Sequence, residues 1–353
     1  MSYKKFIQNP RSFWMEGEQD GITISTRIRL ARNLQHQPFP MLANEMQANA
    51  TIDDVFKVVK NKNFAKLKQM EVFKLNNLSE LEKNILVEKH LISPLLAKES
   101  RFPAVAISED ESVSIMINEE DHIRLQVLFG GLQIREAWAL ANSIDDILEQ
   151  ELPIAFDESY GYLTNCPTNV GTGARFSVMM HLPALVLTQQ INNIIQAVTQ
   201  IGLVVRGIYG EGSEAIGNLF QISNQITLGL SEKDIIDNLL AVTKQITEHE
   251  QQAQARIKKE MEIAISDRVF RSLGILTYAR VIDTNEAMQR LSDIRLGIQL
   301  GLLPKIPLVI LNEIMLLIQP SYLQQHAGTP LTVDQRDRKR AEIIREKINS
   351  YIN

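Results

Sequence analysis

Apolar and polar residues alternate with a period of two in several short runs near the start of the chain. Ile22, Ile24, Thr26, Ile28 and Leu30 interleave with Thr23, Ser25, Arg27, Arg29 and Ala31, which predicts a half-buried strand. Residues 104–107 and 113–117 predict a hairpin, with the polar stretch 108–112 turning between them. His122, Arg124 and Gln126 then alternate with Ile123, Leu125 and Val127 as a further strand. The period changes over residues 132–152, where Trp138, Ala141, Ile144 and Leu148 recur at spacings of three and four and predict a helix. Residues 160–182 open with loop chemistry (Gly161, Pro167, Gly171, Gly173) and end in a β-like run. A helix over 188–200 and strands over 203–207 and 219–226 follow. Strands and helices that alternate irregularly predict an α+β fold with a mostly antiparallel sheet rather than a doubly wound one.

From Ser231 the pattern is helical. Ser231 with Asp234 predicts a helix start, and no strong breaker intervenes before residues 266–267. Further helices are predicted over about 267–279, 284–303, 307–318 and 332–352. The change of character sets a domain boundary near residue 250, giving domains of residues 1–252 and 253–353.

The composition of the 353 residues, 44% hydrophobic and 22% charged, is that of a folded globular chain. Thirty-seven basic and 42 acidic residues leave a net charge of −5, which argues against a surface devoted to nucleic acid. The single cysteine, Cys166, excludes an intrachain disulfide and a cysteine-rich zinc site, and no metal-ligating residue set is assigned. The polar amino terminus has no secretion signal. The most apolar stretch, residues 296–318, is broken by Pro304, Lys305, Pro307, Asn312 and Glu313, which fits buried helices better than a membrane span. A cytoplasmic protein is the expectation.

Four segments carry candidate chemistry. Arg27 and Arg29 project from one strand face about 6.5–7 Å apart, a spacing that suits two guanidinium forks on neighbouring phosphates; alone, the pattern also fits an edge strand with solvated arginines. Residues 118–124 run Asn-Glu-Glu-Asp-His-Ile-Arg, which in isolation reads better as a solvated turn. Residues 165–175 form a glycine-rich loop ending in Arg175, able to offer backbone N–H groups and a cation to phosphate, but without the Gly-Lys-Ser/Thr of a Walker loop. Residues 206–214 place Arg206 at a strand end and Glu211 on a glycine-flanked turn.

Together and in this order, the four segments resemble the ATP:guanidino phosphotransferases, the family of creatine kinase and arginine kinase. The resemblance implies that Arg27, Arg29, Arg124, Arg175 and Arg206 surround the phosphates of ATP. It adds Ser25, Thr26 and Ile28, then Phe176, Ser177, Val178 and Met179, then Gly207, Ile208, Tyr209, Gly210 and Glu211 as nucleotide-lining residues, partly through backbone. It puts His90 by the base, Glu120 and Glu211 as the carboxylates that hold the guanidinium, and Cys166 as a thiol beside it. Mg²⁺ accompanies ATP in the family. The chemistry fits these types. A guanidinium with a pKa above ~12 is a poor nucleophile, carboxylates can align it and accept its proton, and arginines balance charge on the transferring phosphoryl group.

Creatine and arginine kinases carry a helical domain ahead of the Ser-Thr-Arg motif, which here begins at residue 25. The arrangement, with helices after residue 250 instead, resembles the bacterial protein-arginine kinases. Arg336, Asp337, Arg338, Lys339, Arg340 and Ala341 fit the motif with which those kinases bind phosphoarginine. Arg336 and Arg340 are four apart on a predicted helix and share one face, so two cations there could grip a phosphate while Asp337 pairs with the guanidinium. Composition alone reads the segment as a solvated helix. The resemblance further implies arginine-bearing protein substrates, among them a heat-shock repressor, marking for a Clp-type unfoldase and protease in the stress response, an activator protein, and homodimerisation through the helical domain. It implies no direct binding to nucleic acid or membrane. Two other readings remain at this stage: a kinase for a small free guanidine, and a non-catalytic phosphoarginine-binding adaptor.

Overall fold

The computed structural model describes residues 3–16, 20–207, 215–304 and 306–352. Its strands are β1 (Thr23–Arg32), β2 (Met70–Lys74), β3 (Ala104–Ser108), β4 (Val113–Ile117), β5 (Ile123–Gly130), β6 (Phe156–Asp157), β7 (Gly161–Tyr162), β8 (Ala174–His181), β9 (Leu203–Gly207) and β10 (Leu219–Asn224). Among the described residues, eight form a sheet in the order β2-β3-β4-β5-β1-β8-β10-β9, and β6 and β7 form a separate two-stranded sheet. The pairs β1–β5, β2–β3, β3–β4 and β4–β5 are antiparallel, as the irregular alternation predicts.

The hydrophobic period explains the placing of β1. Ile24, Ile28 and Leu30 are fully buried, whereas Arg27 and Arg29 on the other face are half-buried. Because β1 lies between β5 and β8, the alternative of an edge strand with solvated arginines is excluded. The β3–β4 hairpin forms with Ala104 opposite Ile117 and Ile107 opposite Ser114. Asp110 ties its turn, accepting from the Ser108 hydroxyl at 2.7 Å and the Ser112 N–H at 3.2 Å. The helix predicted over 132–152 spans Ile134–Glu151 and buries Ala137, Ala141, Ile144 and Leu148.

The chain packs as two compact units. The first comprises residues 1–14, 25–177 and 223–240; the second comprises 15–24, 178–222 and 241–353. The second therefore takes in β9 as well as the carboxy-terminal helices. Ser231 starts its helix as predicted, its hydroxyl accepting from the Asp234 N–H at 3.2 Å. That helix, Glu232–Glu260, ends at Met261 (φ −129°, ψ 27°) and not at 266–267; a second, Glu262–Tyr278, follows at once. No glycine or proline marks this break in the sequence. Helices Thr284–Gln299, Leu308–Leu317 and Val333–Ile352 match expectation, and Pro320–Ala327 is an addition. Pro320 opens that helix and Gly328 closes it at φ 69°, the usual end-signals. Among the described residues no helix is long and apolar enough to cross a membrane.

Candidate active site

Strand register brings three of the five predicted phosphate arginines to one sheet face. Arg29 lies opposite Gln126, and Ala31 opposite Arg124, so Arg124 shares the face of Arg27 and Arg29. Arg175, the second residue of β8, enters the same electrostatic field. Burial, then Arg124 and Arg175, bring the Arg27 guanidinium down to about 10. Burial, then Arg27, Arg124 and Arg175, push Arg29 well below its ordinary value, with Glu119 opposing. The Arg29 Nε is buried without a hydrogen-bond partner among the described residues. Four cations in a poorly hydrated place are unfavourable by themselves, and a polyanion would relieve them. Arg206 and Gly207 end β9 in the second unit, where Arg206 is half-buried.

His90 follows the helix Glu80–Glu88 at φ 62°. Its carbonyl accepts from the Gln126 side chain at 2.7 Å, and its ring lies 5.8 Å from that of Trp14. Burial and then Arg27 pull its pKa down to about 4, so the imidazole is neutral at neutral pH. The preceding Lys89 is fully buried; its ammonium donates to the carbonyls of Phe6 (3.0 Å) and Asn9 (2.9 Å) and pairs with Glu111. The Ser12 hydroxyl donates to the same Glu111 carboxylate at 2.6 Å. This anchor holds the amino-terminal segment, and Trp14 with it, beside His90.

The three consecutive acids of the 118–124 segment have three separate fates. Asn118, at φ 59°, turns the chain between β4 and β5 and donates to the Ala48 and Phe102 carbonyls. Glu119 is buried, pairs with Arg124 Nη1 at 2.6 Å, and accepts from the Ser93 hydroxyl. Glu120 is half-buried and meets Arg124 Nη2 at 3.1 Å; burial raises its pKa, against the pull of Arg124. Asp121 is fully buried, and one of its oxygens accepts from the Asn33 side chain and from the Asn165 N–H, each at 2.7 Å. His122 Nδ1 accepts from the Leu34 N–H at 3.2 Å, which leaves Nε2–H to donate to the Pro38 carbonyl at 2.9 Å. The solvated-turn alternative is thereby excluded.

Asn165 begins the loop that carries Cys166. The half-buried thiol lies 3.0 Å from the Thr168 hydroxyl, on a short 3-10 turn, Pro167–Asn169. Farther along, Arg32 fixes the loop. It is fully buried, pairs with Asp145 at 2.6 Å, stacks 3.3 Å from the Tyr162 ring centre and donates to the Thr172 carbonyl at 3.0 Å. Glycine is needed at 173 because a Cβ there would lie 2.6 Å from the Arg32 guanidinium.

Six of the remaining nucleotide-lining candidates have buried side chains. Ser25 and Thr26 are buried; the Thr26 hydroxyl donates to the Gly131 carbonyl at 2.7 Å and accepts from the Gln133 N–H at 3.1 Å. Ile28, Phe176 and Val178 are core residues, with Phe176 5.3 Å from Trp138. Ser177 donates to the Arg27 carbonyl at 3.2 Å, and Met179 is half-buried in the second unit. Ile208, Tyr209, Gly210 and Glu211 lie outside the described residues.

The Arg336–Ala341 residues sit in the helix Val333–Ile352. Arg340 is fully buried, donates to the carbonyls of Ile318 (3.1 Å) and Ile282 (2.9 Å), and pairs with Asp337. Arg336 reaches the Leu331 carbonyl at 3.2 Å, Arg338 is exposed, Lys339 meets Glu342 at 2.7 Å, and Ala341 is buried. Arg336 and Arg340 thus do not converge on one open face as helical spacing suggests, because Arg340 is drawn inward by two carbonyls.

Sequence reasoning did not single out Asn33, Ser93, Asp121 in its own right, Asn165, or the Arg32–Asp145 pair. A charge at position 32, ending a strand of otherwise regular period, is the one signal that was legible.

Residues 51–253 match the ATP:guanido phosphotransferase C-terminal catalytic domain, and residues 262–352 match the protein-arginine kinase McsB C-terminal domain. A protein-arginine kinase of Brevibacillus brevis is 57% identical over 350 residues, covering 99% of this chain and 98% of that one. One from Bacillus subtilis is 50% identical, covering 100% and 98%. The crystal structure of a lombricine kinase shares the fold at a TM-score of 0.59 and 22% identity, over 70% of this chain and 71% of that one. With its arginine-lined sheet face and both domain matches, the chain belongs to the ATP:guanido phosphotransferase family and, within it, to the protein-arginine kinases.

Proposed function

We propose that the chain transfers the γ-phosphoryl group of ATP to a guanidinium nitrogen of arginine within proteins. The observation that carries this reading is the gathering of Arg27, Arg29, Arg124 and Arg175 in one field beside a carboxylate, Glu120, whose pKa burial raises. The cations hold the triphosphate and balance charge as the γ-phosphoryl moves. A carboxylate with a raised pKa is a better proton acceptor, so Glu120 takes a guanidinium proton as the N–P bond forms and the O–P bond to ADP breaks. Glu211 is assigned as the second carboxylate, and Arg206 as the fifth cation, by family resemblance. Cys166 borders the guanidinium on the loop that Asp121 joins to Glu120. His90, neutral and backed by Trp14, takes the base.

Among the described residues no group of three or more acids, histidines or cysteines could hold a metal. In the proposed reaction Mg²⁺ would arrive with the nucleotide, water completing its shell, and would supply charge neutralisation at the phosphates. The helical residues 253–353 are assigned to phosphoarginine binding and dimerisation, with a heat-shock repressor and a Clp-type protease downstream and an activator upstream. These rest on the family alone.

Incubation with γ-labelled ATP and either an unfolded arginine-containing protein or free arginine tests the reading. Acid-labile, alkali-stable phosphate on the protein is expected. Labelling of free arginine only would favour the small-guanidine kinase, and no labelling would favour the adaptor.

A further inference from the structure

Beside the Cys166 loop, the first unit exposes large apolar side chains on two adjoining segments. Tyr160 is 60% exposed and Leu228 51%, and Phe156, Leu163, Ile226 and Leu230 are exposed as well. The segments are joined through Gly171, whose carbonyl accepts from the Tyr162 N–H at 2.8 Å, and through Thr172, whose N–H donates to the Thr227 carbonyl at 3.0 Å. Between them runs a groove of about 270 Å³, walled by Phe156, Tyr160, Tyr162, Leu228 and Leu230, with Glu232 also lining it.

The groove is preformed. Thr227 donates to the carbonyls of Thr168 (2.9 Å) and Val170 (2.7 Å). Gly171, at φ 110°, leaves no room for a side chain, since a Cβ there would lie 2.2 Å from the Thr227 carbonyl oxygen. Exposed apolar surface of this kind marks an interaction site.

The groove is tied to the Cys166 loop, because Thr227 in its lining donates to the carbonyl of Thr168, whose hydroxyl meets the Cys166 thiol. Gly171 and Thr172 in its lining belong to the same loop as Cys166. The Leu163 carbonyl accepts from Asn33 at 3.0 Å, and the same Asn33 amide holds Asp121, next to Glu120. If the acceptor is an arginine inside a polypeptide, its flanking residues must rest on surface next to these groups. We propose that this groove takes an apolar or aromatic side chain of the substrate polypeptide near the target arginine. The selected substrates are then segments that expose an apolar residue beside an arginine, as locally unfolded chains do. Glu232 favours a peptide that carries additional positive charge. The proposal rests on the protein-arginine kinase reading above.

Two peptides of equal length and one arginine each test it, one with Leu and Tyr around the arginine and the other with Ser and Gly. Full-length wild type, Tyr160→Ser and Leu228→Ser are compared by steady-state kinetics. Burying one large apolar side chain corresponds to about tenfold or more in kcat/KM. Wild type is expected to prefer the apolar peptide by that factor through KM. The variants should lose the preference while keeping kcat and their rate on the Ser/Gly peptide. Equal use of both peptides by wild type overturns the groove while leaving the kinase standing. Variants that keep the preference overturn it also, as does a change from dimer to monomer in sedimentation, which would make the surface a contact between copies. Phosphorylation of neither peptide brings down the kinase reading itself, and the groove with it.

Discussion

A single carboxylate oxygen of Asp121 accepts the Asn165 N–H at 2.7 Å and so joins the turn carrying Glu120 to the loop carrying Cys166. Asn33 donates to the same oxygen, and its carbonyl-side neighbourhood extends to His122, whose N–H donates to Asn33 Oδ1 at 2.9 Å. Asp121 is thus a positioning residue between two candidate reacting groups.

Replacing Asp121 by Ala releases the Asn165 N–H and frees both segments. A misplacement of about 1 Å can cost on the order of 10²-fold in rate. The Asp121→Ala variant should lose that much in kcat on protein arginine, while ATP affinity by calorimetry changes less than threefold, roughly the 0.6 kcal/mol of one RT unit. Unchanged kcat would remove Asp121 from this role.

Glu120 must be ionised to accept a proton, and burial raises its pKa. Activity should therefore fall as pH drops, with the acid limb displaced upward from the ordinary carboxylate range. Glu120→Gln should lower kcat by about 10²–10⁴-fold and abolish that limb. A pH–rate profile of the two proteins checks both points.

Arg29 sits among three like charges, and its Nε is buried without a partner among the described residues. Removing its charge relieves repulsion in the free protein. Arg29→Met should melt at or above the wild-type temperature without nucleotide, yet show a much smaller upward shift with ATP. A thermal melt in which the variant is less stable alone, and equally stabilised by ATP, would contradict the clamp.

The His90 pKa of about 4 lies below the unfolded value near 6.5. A depressed histidine gives stability that is present above the unfolded pKa and lost as pH falls through the folded one. Stability should fall between about pH 6.5 and 4, and His90→Gln should make that slope shallower in denaturant melts at a series of pH values.

In the carboxy-terminal segment, Arg340 and exposed Arg338 should separate folding from binding. Arg340→Ala leaves the Ile318 and Ile282 carbonyls and Asp337 without their donor, at a cost of about 3–5 kcal/mol for breaking a buried pair. Arg336→Ala and Arg338→Ala should leave the melting temperature within a degree or two, about 0.5 kcal/mol, and weaken phosphoarginine binding by the full-length protein. Titration calorimetry beside thermal melts reads both.

The sequence by itself determined the strand of Arg27 and Arg29, the β3–β4 hairpin, three of the helices that close the chain, and the family through four ordered motifs. Those features are local: alternation, helical spacing and turn residues act over a few positions, so they are written in the order of the residues. Tertiary structure decided what the Glu119-Glu120-Asp121 run means. Charge alone treats the three as equivalent, but a turn has no regular period, and each takes a different setting: Glu119 buried against Arg124 and Ser93, Glu120 half-exposed on the same Arg124, and Asp121 buried on Asn33 and Asn165. The same holds for Arg340, which helical spacing puts beside Arg336 but which carbonyls 22 and 58 residues away draw into the core. A buried charge goes where its desolvation is best offset, and those partners are brought near only when the chain has folded.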